Sequence, residues 1–172
     1  MKKLFLALCI LLSHFNFAQA KGNPFLKAMK YAESVSYTFD YSDTKIDGIK
    51  AEDYVSMTLN MPFEKFTSIL ENILINSVNE YLAKKGMILS NEKETDVELK
   101  VKLTNVDRDG EHTLLCDLIQ KSTQGVIFSF KVNHNGGDND KFKEELMKRY
   151  ALSGKSIGKN IYMVKKISLK AK

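Results

Sequence analysis

The strongest folding signal in the sequence is a wide apolar stripe in residues 62–85. Its members recur at steps of three and four residues, as on one face of an α-helix: Phe63, Phe66, Leu70, Ile73, Leu74, Val78, Tyr81 and Leu82. Pro62 suits the first turn of such a helix, and Gly86 suits the residue that ends it. A helix of this length would extend about 36 Å. It must bury its stripe against other elements, which already implies a layered fold.

Four segments alternate apolar and polar residues and therefore predict β-strands with one buried face. The first is 35–41, and the other three follow the helix at 95–106, 113–121 and 126–132. In the last of these strands, the inward row is expected to be Val126, Phe128, Phe130 and Val132. Asp109-Gly110 predicts a tight hairpin turn, so the three later strands should form a meander.

The other segments are shorter or less regular. Residues 21–33 can form a lead-in helix, 42–50 is typical of a loop, and 51–60 favours a short helix over a strand. A second main helix is expected at about 139–158, and the tail beyond it could add a last short strand.

Gly154 and Gly158 lie four residues apart on this second helix and would let it approach the sheet closely. Together the elements predict an α+β fold: an antiparallel sheet in the order β-α-β-β-β-α, with two main helices packed on one face.

The first twenty residues have the features of a secretory signal peptide. Met1-Lys2-Lys3 is followed by an apolar run and by Ala18-Gln19-Ala20, the small-residue pattern of a cleavage site. We therefore expect a signal peptide at 1–20 and a single α+β domain at 21–172, periplasmic or secreted, with no transmembrane span. A lipid anchor is not expected, since position 21 is not cysteine. Losing two lysines lowers the formal charge from +5 to +3, which does not indicate nucleic-acid binding.

No motif in the sequence indicates a bound nucleotide, cofactor or metal. Gly154-Lys155-Ser156 matches the end of a phosphate-binding loop, but Arg149 stands where that motif requires its first glycine. Asp107 and Asp109 resemble the start of a calcium loop whose glycine comes two positions early, which favours a hairpin turn. Cys116 lies within an apolar strand and is expected to be buried in the core.

Three function classes stay open on these residues. The first is a non-catalytic binding or assembly module of the cell envelope. The second is a metal-dependent hydrolase that would use Asp107, Asp109 and His112 or His134, although both histidines are more typical of solvent-facing loop residues. The third is a carrier of a lipid or another small ligand.

Charge is unevenly distributed along the chain. No acidic residue follows Glu145, whereas lysines accumulate towards the C-terminus. Such a basic end suits an anionic envelope component, although it also fits a solvated helix face and tail. Another envelope protein is the other expected class of partner. The lysines that would contact an anionic surface are Lys155, Lys159, Lys165, Lys166, Lys170 and Lys172.

The order of elements resembles the small α/β sandwich of the TolB amino-terminal domain and of lipopolysaccharide-assembly lipoproteins. Four stretches are similar to a group of small exported bacterial proteins of unknown function: 39–55, 95–103, 135–137 and 153–161. This resemblance implies the fold and an exported location. It implies no activity.

Overall fold

The computed structural model describes residues 24–171, so the predicted signal peptide and Lys172 lie outside the described residues. Within these residues, four α-helices and a seven-stranded mixed sheet confirm the α+β class. In chain order the elements are α1 (Lys27–Lys30), β1 (Ser34–Asp40), β2 (Lys45–Ile46), β3 (Ile49–Lys50), α2 (Ala51–Tyr54), α3 (Phe63–Leu82), β4 (Ile88–Leu89), β5 (Val97–Val106), β6 (His112–Gln120), β7 (Gly125–His134) and α4 (Phe142–Lys170). Short turns of 3₁₀ helix precede α1 and α4 and follow α3, and a π-helical turn at Val55–Leu59 continues α2.

The sheet is mixed, which corrects the wholly antiparallel sheet expected from the sequence. The meander of β5, β6 and β7 is antiparallel as predicted, with Leu99 opposite Leu118 and Cys116 opposite Phe130. β1 instead pairs with β5 in parallel, with Tyr37 opposite Leu99. The direction follows from the connection, because α3 crosses over between these two strands and returns the chain to the same end of the sheet.

The predicted loop at 42–50 contains the short hairpin of β2 and β3. Lys45 lies opposite Lys50, and the turn residues Asp47 and Gly48 have φ of 52° and 79°. Positive φ at both central residues is the geometry of the tight turns that join hairpin strands, and Asp-Gly is a preferred sequence for it. The Asp-Gly pair was therefore a usable hairpin signal.

Helices α3 and α4 cover one face of the sheet and enclose the core with it. The stripe of α3 is buried as predicted at Phe66, Leu70, Leu74, Val78 and Leu82, and Cys116 is buried on β6. Gly86 ends the turn after α3 with φ of 69°, as a left-handed cap does. No helix within residues 24–171 combines the length and hydropathy that a membrane span requires.

α4 runs for 29 residues to Lys170, so the short strand expected in the tail is wrong. The helix continues because its buried face continues: Ile161 and Val164 are fully buried, and Ser168 is 2% exposed. Gly154 and Gly158 face α3, where the prediction placed them against the sheet. A Cβ on Gly154 would lie 2.7 Å from the Leu74 carbonyl oxygen, so the two helix backbones are in close approach.

The inward row of β7 also differs from simple alternation. Val126 is 46% exposed, whereas Ile127 is 1% exposed. The register between β6 and β7 shifts between Leu118 and Ile119. An extra residue in one strand is a β-bulge, and it moves the residues before it out of step with those after it.

Candidate functional site

Four lysines of α4 lie on one exposed side of the helix, and we call this side the basic face: Lys155, Lys159, Lys166 and Lys170. At 100° per residue they lie within about 60° of one another around the helix axis, and they span about 22 Å along it. The opposite side of the same helix carries the buried residues Ile157, Ile161 and Val164. The basic face therefore points to solvent because the other side is held by the core.

The charges of the basic face are largely uncompensated. Lys155 Nζ lies 3.7 Å from an Oε2 of Glu80 on α3, in a pair whose two side chains are both about half exposed. Such an exposed pair is weak. For Lys159, Lys166 and Lys170, the described part of the chain provides no ion-pair partner. Positive charge thus increases towards the C-terminal half of the face.

Lys165, which sequence analysis grouped with these lysines, lies elsewhere. It is half-buried, and its Nζ donates a hydrogen bond of 2.5 Å to the carbonyl oxygen of Ala32, just after α1. This contact holds the segment after α1 against α4. Lys172 lies outside the described residues.

One further lysine, Lys85, lies beside the basic face. Lys84 and Lys85 are exposed in the turn after α3. Lys85 Nζ lies 5.4 Å from the centre of the Tyr162 ring on α4, within cation–π distance. Only the packing of α3 against α4 brings Lys85 to this face, although the Lys-Lys pair at a helix end was visible in the sequence.

His112 was expected in a solvent-facing loop, but it is the first residue of β6 and is 1% exposed. Its Nδ1 lies 3.0 Å from the Gly110 carbonyl oxygen, and its Nε2 lies 2.8 Å from Ser153 Oγ on α4. Because a carbonyl only accepts, Nδ1 donates to it and Nε2 accepts from the Ser153 hydroxyl. Burial lowers the pKa of His112 to about 4, so the neutral ring is stable over the physiological range.

The Ser153–His112 contact has the spacing of a nucleophile and its base, and no local sequence pattern indicates it because 41 residues separate the two. Ser153 is fully buried and His112 nearly so, which withholds both side chains from any substrate. The contact instead joins β6 to α4.

Asp107 and Asp109 form the predicted hairpin turn. Gly110 N donates to the Asp107 carbonyl oxygen at 2.9 Å, and Glu111 N donates to Asp109 Oδ1 at 3.0 Å. Within residues 24–171, no group of three or more His, Cys, Asp or Glu side chains is arranged to hold a metal ion. Asp107 and His112 line the same cleft, but Gly110 and Ser153 already engage both ring nitrogens of His112, which leaves neither nitrogen free to bind a metal ion.

The second histidine, His134, ends β7 and is half-buried, with its ring 6.0 Å from that of His112. Burial and the nearby Arg149 guanidinium lower the pKa of His134. A cleft of about 370 Å³ lies beside this end of the sheet, between Lys45, Asp107 and Glu111 among others. A lipid carrier needs a mostly apolar lining, and this cleft is lined by polar and charged residues.

No protein-family model and no curated protein matches this chain. Similar solved structures include a protein described as a neuraminyllactose-binding hemagglutinin homologue from Helicobacter pylori, with 13% identity, a TM-score of 0.48, and coverage of 80% of this chain and 92% of that one. A dodecamer of PelC L103M from Paraburkholderia phytofirmans is 12% identical, with a TM-score of 0.44, and the match covers 76% of this chain and 86% of that one. A structure described as an uncharacterised protein is 15% identical, with a TM-score of 0.43, and the match covers 74% of this chain and 90% of that one. These distant likenesses assign no function, and the resemblance to TolB and to lipopolysaccharide-assembly lipoproteins stays a prediction.

Proposed function

We propose that this protein is an exported, non-catalytic binding module of the cell envelope that contacts an anionic envelope component through its basic face. The observation that supports this proposal is the set of exposed lysines on one side of α4, three of them without an ion-pair partner among the described residues. The amino-terminal sequence supports export, since it has the three parts of a signal peptide.

The arrangement of the lysines matters more than the net charge. In physiological salt, exposed charges act over about 8 Å, so only lysines that reach the surface together contribute. A lysine close to an anionic membrane surface contributes about 1 kcal/mol. The four lysines lie on one side of a single uninterrupted helix, so they can reach an anionic surface at the same time: Lys155, Lys159, Lys166 and Lys170.

The proposal is tested by binding of the purified protein to two anionic probes, dextran sulfate beads and vesicles of phosphatidylglycerol and phosphatidylcholine. Phosphatidylcholine vesicles are the neutral comparison. A basic-face variant changes all four lysines to glutamine. A matched control variant removes the same charge from four exposed lysines outside α4: Lys93, Lys100, Lys121 and Lys131.

We expect wild-type protein to bind both anionic probes at low salt and to be released at high salt. Since each of the four lysines contributes about 1 kcal/mol at a membrane surface, the basic-face variant should bind both probes more weakly, the anionic vesicles by up to about a thousandfold, while the control variant keeps most of its affinity. An equal loss in the two variants would show that net charge alone acts. Equal binding to neutral and anionic vesicles would overturn the proposal outright.

A further inference from the structure

Two exposed leucines lie on the same side of α4 as the basic face. Leu152 is 42% exposed and Leu169 is 55% exposed. Around the helix axis, both fall within a sector of about 100° that contains the four lysines, and they are about 25 Å apart along the axis. Leu152 precedes the four lysines and Leu169 lies between Lys166 and Lys170, so one exposed surface carries a leucine near each end of the basic face.

This mixture distinguishes between anionic partners. A sulfated or phosphorylated polymer can neutralise the lysines but gains nothing from leucine side chains. An anionic bilayer can accept both, since its headgroups attract lysines while apolar side chains enter the boundary with the acyl chains. Long lysine stems also allow the ammonium groups to stay at headgroup level above inserted neighbours.

We infer that the basic face docks flat on an anionic phospholipid bilayer, with Leu152 and Leu169 inserted at the boundary between headgroups and acyl chains. This inference rests on the proposed function and names its partner.

The docking surface is already formed before any bilayer is met. Ile157, Ile161 and Val164 are fully buried beneath it, and Lys165 ties the same helix to the carbonyl of Ala32. Binding therefore does not require the helix to fold, and the ordering penalty of association is small. α4 differs in this respect from an amphipathic segment that becomes helical only on the membrane.

The contact should be stronger at the C-terminal end of the face. Glu80 is exposed and lies 3.7 Å from Lys155, so it opposes attraction to an anionic surface near Leu152. Lys166 and Lys170 have no such acid beside them among the described residues. Leu169 should therefore enter the bilayer more deeply than Leu152.

Single-tryptophan variants test insertion directly, because the chain contains no tryptophan of its own. Leu152→Trp and Leu169→Trp place a reporter at each site. Leu115→Trp is the matched control, since Leu115 is also 42% exposed but lies on β6. Its neighbour Leu114 is buried under the helices, so Leu115 points to the opposite face of the sheet, away from α4. The probes are phosphatidylglycerol–phosphatidylcholine vesicles with brominated acyl chains, and dextran sulfate.

With these vesicles we expect a blue shift and quenching for Leu169→Trp, a smaller effect for Leu152→Trp, and neither for Leu115→Trp. With dextran sulfate none of the three should shift. As a second measurement, replacing both leucines by serine should weaken vesicle binding about tenfold and leave dextran sulfate binding unchanged.

The failures are distinguishable. Salt-sensitive vesicle binding without quenching at either leucine, or with no loss in the double serine variant, would overturn the insertion while the proposed function stands. Quenching equal to that of Leu115→Trp would also overturn it. Absence of binding to both anionic probes would overturn the proposed function and this inference together.

Discussion

Acidification should destabilise this fold mainly through His112. Burial holds the folded-state pKa of His112 at about 4, whereas an unfolded chain would have a pKa of about 6.5. The unfolded state therefore takes up the proton first as the pH falls. Stability should be fully present above about pH 6.5 and should decrease progressively towards about pH 4. Because a pKa difference of one corresponds to about 1.4 kcal/mol, the loss amounts to about 3 kcal/mol.

Other groups titrate in the same range and must be separated from His112. The pKa of His134 is also lowered, so its protonation acts in the same direction. Burial raises the pKa of Glu71, so this residue favours the folded state as the pH falls and acts in the opposite direction. The informative quantity is thus the difference between wild-type protein and a His112→Gln variant, not the wild-type curve alone.

The assay is urea unfolding followed by circular dichroism at a series of pH values between about 7 and 4. We expect His112→Gln to be less stable than wild type at neutral pH, since it disturbs the contacts to Gly110 and Ser153. Between about pH 7 and pH 4, the free energy of unfolding of His112→Gln should fall by about 3 kcal/mol less than that of wild type. His134→Gln is the control and should keep most of the pH dependence. An unchanged pH dependence in His112→Gln would show that His112 does not cause the loss of stability on acidification.

Three further predictions concern packing. Gly154→Ala should lower the free energy of unfolding by about 1 kcal/mol or more, because the new Cβ would lie 2.7 Å from the Leu74 carbonyl oxygen. Gly158→Ala, whose Cβ would have its nearest contacts at 3.2 Å, should be close to neutral. Equal urea midpoints in the two variants would contradict this prediction. Gly110→Ala should cost about 1–3 kcal/mol in the same assay, since Gly110 has φ of 81° and its Cβ would meet backbone; wild-type stability would contradict it. Cys116, whose pKa burial raises to about 12, should react with a thiol reagent only after unfolding; rapid reaction in the native protein would contradict this.

The elements that were predictable from the sequence are those whose burial follows local periodicity. The stripe of α3 and the alternation in β5 each repeat over many residues, so one buried face could be identified without knowing what covers it. The class of the fold followed from these patterns.

The errors arose where distant contacts decide. The parallel pairing of β1 depends on the crossover through α3. The length of α4 depends on its buried face, which continues past Gly154 and Gly158 although these glycines break the apolar pattern in the sequence. The burial of His112 depends on Ser153, 41 residues away along the chain. None of these pairings leaves a periodic signal.

The sequence predicts that the candidate site is rich in lysine, but it does not predict which lysines lie on one side of the helix. The absence of acids after Glu145 identified a basic region, but α4 had to continue through the tail before Lys166 and Lys170 could join Lys155 on one side. Lys165 does not belong to the basic face, because it lies about a quarter turn around the helix from Lys166 and its Nζ donates to the carbonyl oxygen of Ala32.

In the proposed function, the position of the lysines on α4, and not the net charge of the protein, drives binding to anionic surfaces. The most direct test is the salt dependence of binding to phosphatidylglycerol–phosphatidylcholine vesicles, compared between the four-lysine basic-face variant and the control variant of equal charge. We expect a markedly weaker affinity and a shallower salt dependence in the basic-face variant alone. The same affinity and the same salt dependence in both variants would contradict it.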